Sequence, residues 1–142
     1  MGEEAAEMAS QMPRHGEFCW TEFASTDLSK CKPFYENVFG WNFKESEGTA
    51  EEMQYLEFSS SGDKYPDGAL YEIKPEMFGG TTPPAHISLY ISVDDVDASI
   101  EKAKELGASI CFGPYDIPNV GRMAVVTDPT GANFAMIALA PI

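Results

Sequence analysis

In FCWTEFAS, residues 18–25, an indole and a carboxylate stand two positions apart. If the segment is a strand, alternation puts Trp20, Glu22 and Ala24 on one face and Thr21, Phe23 and Ser25 on the other. A ring beside an anionic group can wall a cavity. The ring supplies apolar contact and one N–H donor, and the carboxylate favours a cationic or amphipathic ligand. Other chemistries are poorly supplied. No G-x-S-x-G occurs, and FGGTTPP lacks the lysine and spacing of a phosphate loop. Cys19 adjoins Trp20 in the strand, so it points to the opposite face and is not expected to act as a nucleophile.

The bulk composition narrows the partners. Lys and Arg total 9 against 23 Asp and Glu, a formal charge of -14. That charge repels phosphate backbones, so nucleic acid is not expected. It suits a cationic ligand or a basic protein, and its plainest role is solubility. The three cysteines, Cys19, Cys31 and Cys111, are odd in number and show no C-x-x-C spacing. Neither a disulfide framework nor a zinc knuckle fits, and reduced thiols in a cytoplasmic compartment are expected. No apolar run approaches the roughly 20 residues of a membrane span. The N-terminus shows no hydrophobic signal segment, and MGEEAA has Ala6 where a myristoylation signal wants Ser or Thr.

Residues 1–15 carry helix formers without an apolar stripe and end near Pro13, which predicts a flexible tail. From Phe18 the pattern sharpens. After the first strand, TDLSKCKPFYENVFGW reads as a helix with Leu28, Cys31, Tyr35 and Val38 on one stripe. Asp27 or Ser29 caps it and Gly40 ends it; Pro33 fits better with Ser29 as cap. Strands follow around WNFKE, EEMQYLEFSS and GALYEIK, the last two joined by the turn cluster SGDKYPDG. Beyond the Pro/Gly/Thr connector PEMFGGTTPPA, the series runs again. HISLYISV is a strand. DDVDASIEKAKELGA is a helix with Val96, Ile100, Ala103 and Leu106 inward and Gly107 as its stop. SICFGPYDI, GRMAVVTD and ANFAMIAL are strands.

The order β-α-β-β-β thus occurs twice, an internal repeat that sets the fold. The expected architecture is α+β: two βαβββ modules, residues 16–75 and 85–142 with a linker over 76–84. They would form an eight-stranded, cupped sheet with helices on the outside and a cavity between the modules.

Together, ASTDLSKCKPFYENVFGW, VDDVDASIEKAKELGA and VVTDPTGANFAMI resemble the vicinal oxygen chelate superfamily, which includes glyoxalase I, the bleomycin resistance proteins and the extradiol dioxygenases. The resemblance covers residues 16–142. It implies the fold above and a homodimer. In metal-using relatives it implies four ligands: His or Gln early in each module and Glu late in each. The early ligand lies seven residues before the capping aspartate, at Trp20 and Ser88 here. The late one lies four residues after a glycine, at Glu72 from Gly68 and Ala135 from Gly131. A divalent ion held by Glu72 alone would be weak. The expectation is therefore no cofactor.

The predicted ligand-binding set is Trp20, Glu22, Glu72, Ser88, Tyr90 and Asn133, an aromatic cavity with a few polar groups. It would bind or sequester a small aromatic or cationic molecule. Trp20 and Tyr90 as simple core filling is the plain alternative. A metal-dependent lyase, isomerase or dioxygenase with a shifted set, Glu22, Glu72 and His86, is the catalytic alternative. An acidic interaction module without a small ligand is the third.

Overall fold

The computed structural model describes residues 12–45, 54–60, 66–74, 83–118 and 120–140. Most of the predicted tail, residues 1–11, and most of the connector lie outside them. Two compact units emerge: Trp20–Ser88, and the segment up to Cys19 together with the chain from Leu89.

The first unit holds most of β1 (Phe18–Ser25), α1 (Leu28–Phe39), β2 (Asn42–Glu45), β3 (Tyr55–Ser59) and β4 (Gly68–Glu72). Its strands run β2-β3-β4-β1, with β1 and β4 parallel and the other pairs antiparallel. The second unit carries the last residues of β5 (His86–Ser92), then α2 (Val96–Glu105), β6 (Ser109–Ile117), β7 (Gly121–Thr127) and β8 (Asn133–Leu139). Its order is β5-β8-β7-β6, with β5 and β8 parallel. Among the described residues, eight strands and two helices in two βαβββ modules make this the α+β class the repeat predicts.

Both helices start where their aspartates point. Asp27 accepts from Ser29 N and Asp95 from Ala98 N, each satisfying an amide that the first turn leaves unpaired. Asp27 is therefore the cap of α1, and Pro33 falls at its sixth residue, inside the helix. Gly40, at φ 73°, supplies the left-handed turn that ends α1.

The helical stripes are less buried than their periodicity suggests. Leu28, Val96 and Ile100 are buried as expected, whereas Val38 is 56% exposed and Leu106 70%. Leu106 sits at the cap beyond the last turn of α2, where the helical direction no longer holds it inward. On α1 the aromatics take over the packing. Tyr35, Phe23, Trp41 and Phe58 interlock, with Trp41 stacked on Phe58 at 4.2 Å. In the second unit Val93, Val96, Ile100, Ala124, Val126 and Met136 form the core.

Candidate functional site

Trp20 and Glu22 do share a face of β1, and a third residue joins them. Trp20 Nε1 donates to the Tyr55 hydroxyl at 3.0 Å. That hydroxyl donates to Glu22 Oε2 at 2.7 Å. Tyr55 lies on β3, with β4 between it and β1. Strands lie about 4.8 Å apart, so its side chain must cross about 10 Å over β4 to reach Glu22. The registers show what permits this. Ala69 pairs with Glu22 on one side and Glu57 on the other, and Tyr55 pairs with Tyr71. Ala69 is 0% exposed, and the Tyr55 ring stacks on Tyr71 with centroids 6.2 Å apart. Burial first, and the Glu22 charge second, push the Tyr55 phenol well above the usual tyrosine range. It stays a proton donor across the physiological range, and the direction of both bonds is fixed.

Glu72 goes elsewhere. It pairs with Ser25, so its side chain leaves by the face opposite Trp20. Its Oε1 accepts from Leu28 N at 3.0 Å, and its Oε2 lies 3.4 Å from Lys74 Nζ. The carboxylate thus caps the start of α1, where a negative charge is favoured. The reason is register. In β8, four residues after Gly131 comes Ala135, paired with Tyr90. Gly68 sits in no such turn; it is the first residue of β4, paired with Thr21. Glu22 and Tyr90 each stand five residues before a capping aspartate, so the partner of Glu22, Ala69, is the counterpart of Ala135. Three positions separate Ala69 from Glu72, an odd number, and the face reverses.

Within the second unit, Tyr90, Ala135 and Ile137 line one face, with Tyr90 7% exposed and its hydroxyl 3.9 Å from Met123 Sδ. Asn133 lies at the exposed start of β8, where its Oδ1 accepts from Thr127 Oγ1 at 2.6 Å. Ser88 is half-buried on β5. His86 is exposed, its Nδ1 2.8 Å from the Pro84 carbonyl oxygen. The structure does not bring Glu22, Glu72 and His86 together. Among the described residues no group of three or more His, Cys, Asp or Glu is placed to hold a metal ion. A half-open cleft of about 390 Å³ is lined by Phe23, Ser25, Tyr35, Leu70 and His86, on the helix side away from Trp20.

Tyr55 and Ala69 are the residues that sequence reasoning missed. The only signal for Tyr55 was its place in an alternating strand; its reach across β4 depends on a register the sequence does not print.

A family model, the Glyoxalase/Bleomycin resistance protein/Dioxygenase superfamily, matches residues 18–136. The chain belongs to that superfamily. Relatives span bacteria and fungi. "Putative glyoxylase CFP32" of Mycobacterium bovis is 32% identical over 85% of this chain and 47% of its own length. "Anthracycline biosynthesis protein DnrV" of Streptomyces peucetius is 30% identical over 82% of this chain and 45% of its own. The chain thus spans about half the length of these two. A glyoxylase-like domain-containing protein of Didymella fabae is 31% identical over 75% of this chain and 84% of its own. Solved structures share the fold. Methylmalonyl-CoA epimerase of Mycobacterium tuberculosis has a TM-score of 0.59 at 14% identity, each chain covered to 89%. A Streptomyces coelicolor epimerase, in complex with 2-nitronate-propionyl-CoA, has a TM-score of 0.61 at 17% identity, over 89% of this chain and 99% of that one.

The superfamily's metal does not fit the residues here. With the register in hand, its four ligand positions fall on Trp20, Ala69, Ser88 and Ala135. Three of these side chains have no metal donor, and a serine hydroxyl is a poor one.

Cys19 is half-buried as well as turned away from Trp20. Its Sγ lies 3.6 Å from the Tyr90 carbonyl oxygen, and burial raises its thiol to about 11. Far less of such a group is thiolate near neutral pH than of an ordinary thiol. Maleimide is expected to label the exposed Cys111 readily and Cys19 at least about a hundredfold more slowly, read by peptide mapping over time. Equal rates would show that the strand opens or that the thiol is not buried.

Proposed function

We propose that this chain is a metal-independent member of its superfamily that binds, and so sequesters or carries, a small aromatic or cationic molecule. The ligand rests on the face of the first module that carries Trp20, Tyr55 and Glu22. The observation that carries this reading is the hydrogen-bonded chain from Trp20 through Tyr55 to Glu22. An indole and a phenol occupy the region where metal-using relatives hold ligands, and they leave ring surface next to a carboxylate. Ser88, Tyr90 and Asn133 stay in the proposal as the corresponding face of the second module. Glu72 leaves it, because its carboxylate caps α1.

The name of DnrV, in anthracycline biosynthesis, is in line with a flat aromatic ligand. The name of CFP32 points instead to glyoxylase chemistry, in a protein about twice as long. A cytoplasmic location and a homodimer belong to the same proposal; the three thiols are free, in line with a reducing compartment.

The test is metal analysis of the purified chain, paired with thermal melts. Zinc, nickel, manganese and iron are expected well below one per chain, and a chelator is expected to leave Tm unchanged. One metal per chain, with Tm falling on chelation, overturns the proposal.

A further inference from the structure

We infer that the cleft beside α1 is a second binding site, for a neutral, mostly apolar molecule that carries a carbonyl oxygen. It lies within the first module, on the helix side of the sheet, and is independent of the ligand face around Trp20. Its volume of about 390 Å³ is that of a small-molecule site. Phe23, Leu70 and Ile87 make its walls mostly apolar. Ser25, Cys31 and Tyr35 bring two hydroxyls and a thiol, and no lining side chain carries a carbonyl or carboxylate oxygen. His86 turns its Nδ1 to the Pro84 carbonyl oxygen, 2.8 Å away.

Ser25 sets the chemistry of the ligand. It shares a face of β1 with Phe23, whose ring centroid lies 5.1 Å from that of Tyr35 on α1, so the Ser25 side chain points to the helix side. The residue is 5% exposed. Its Oγ accepts from Asp27 N at 3.0 Å. Among the described residues its O–H meets no acceptor. A buried donor left unpaired is costly, and a ligand oxygen that accepts from it removes the cost. The charges nearby favour no ion. Asp27 is followed three residues on by Lys30, and Glu72, the register partner of Ser25, lies 3.4 Å from Lys74. Each carboxylate thus has a lysine beside it, and an ion entering an apolar cleft loses its water without gaining a free counter-charge.

Cys31 lines the same cleft, so its thiol reports occupancy. The probes are 2-acetylnaphthalene and 2-isopropenylnaphthalene, alike in shape, with a CH2 replacing the carbonyl oxygen in the second. Iodoacetamide alkylation of the whole chain is followed by peptide mapping. Saturating ketone is expected to slow Cys31 at least about fivefold and to leave the exposed Cys111 unchanged. Judged by the concentration that half-shields Cys31, the ketone is expected to bind about fivefold more tightly than the alkene, the size of one net hydrogen bond. Ser25→Ala is expected to abolish that preference while alkene binding holds. 2-Naphthoate is expected to shield less than the ketone at equal concentration.

No shielding by either neutral probe overturns the inference and leaves the Trp20 reading standing, since a ligand seated on that face does not cover Cys31. Equal shielding by ketone and alkene, or a preference that survives Ser25→Ala, overturns it too, for the cleft then selects by shape alone. Stronger shielding by 2-naphthoate assigns the cleft to an anion and overturns the class. If Ser25→Ala does not fold, as judged by circular dichroism, the wild-type comparison of ketone with alkene decides.

Discussion

Replacing Gly68 by alanine is expected to cost at least about 3 kcal/mol of folding stability, read as a fall in the urea midpoint. The expectation comes from space. A Cβ built on Gly68 would overlap the Thr21 carbonyl oxygen and lie 2.9 Å from Phe58 Cζ. The first contact is with backbone of the neighbouring parallel strand, so no side-chain rotation relieves it. Either β1 and β4 part at Thr21, or β4 slips. A slip of one residue would turn Ala69 and Tyr71 to the helix side and part Tyr71 from the Tyr55 ring. Gly40→Ala is the control. It sits at φ 73° with nothing within 4 Å of the added Cβ, so it pays only the left-handed backbone cost of about 1 kcal/mol. If Gly68→Ala costs no more than Gly40→Ala, the close approach of β1 and β4 is not as described.

Much of this architecture is legible in the sequence because it is written locally. Asp27 and Asp95 announce helix starts through a side chain that reaches its own next turn, and Gly40 and Gly107 end helices through their own backbone freedom. Alternation correctly places Trp20 with Glu22, since a strand carries that information by itself. What is not local is not legible. Whether Glu72 shares their face depends on how β4 is registered against β1, and an odd offset in that register reverses the answer. Tyr55 belongs to the site only because its ring reaches two strands away. Val38 fits the helical period, yet it stays exposed because the packing of α1 is taken by Tyr35 against Phe23 and Trp41.

Ala69→Glu is expected to be the most damaging single change, costing more than about 4 kcal/mol or preventing folding outright. It would place a carboxylate at a position now 0% exposed, between Glu22 and Glu57. Steric and charge penalties then add. The informative measurement is the cycle with Tyr55→Ala. That change alone removes the crossing ring and both hydrogen bonds, at about 3 kcal/mol or more. If Tyr55 fills the space over Ala69, the double variant loses less than the sum of the singles. The new side chain then occupies the volume the ring has left and gains access to water. A coupling of at least about 1 kcal/mol is expected, the size seen between residues in direct contact. Strictly additive losses, or an Ala69→Glu variant within about 1 kcal/mol of the parent, would mean that Tyr55 does not lie over this alanine.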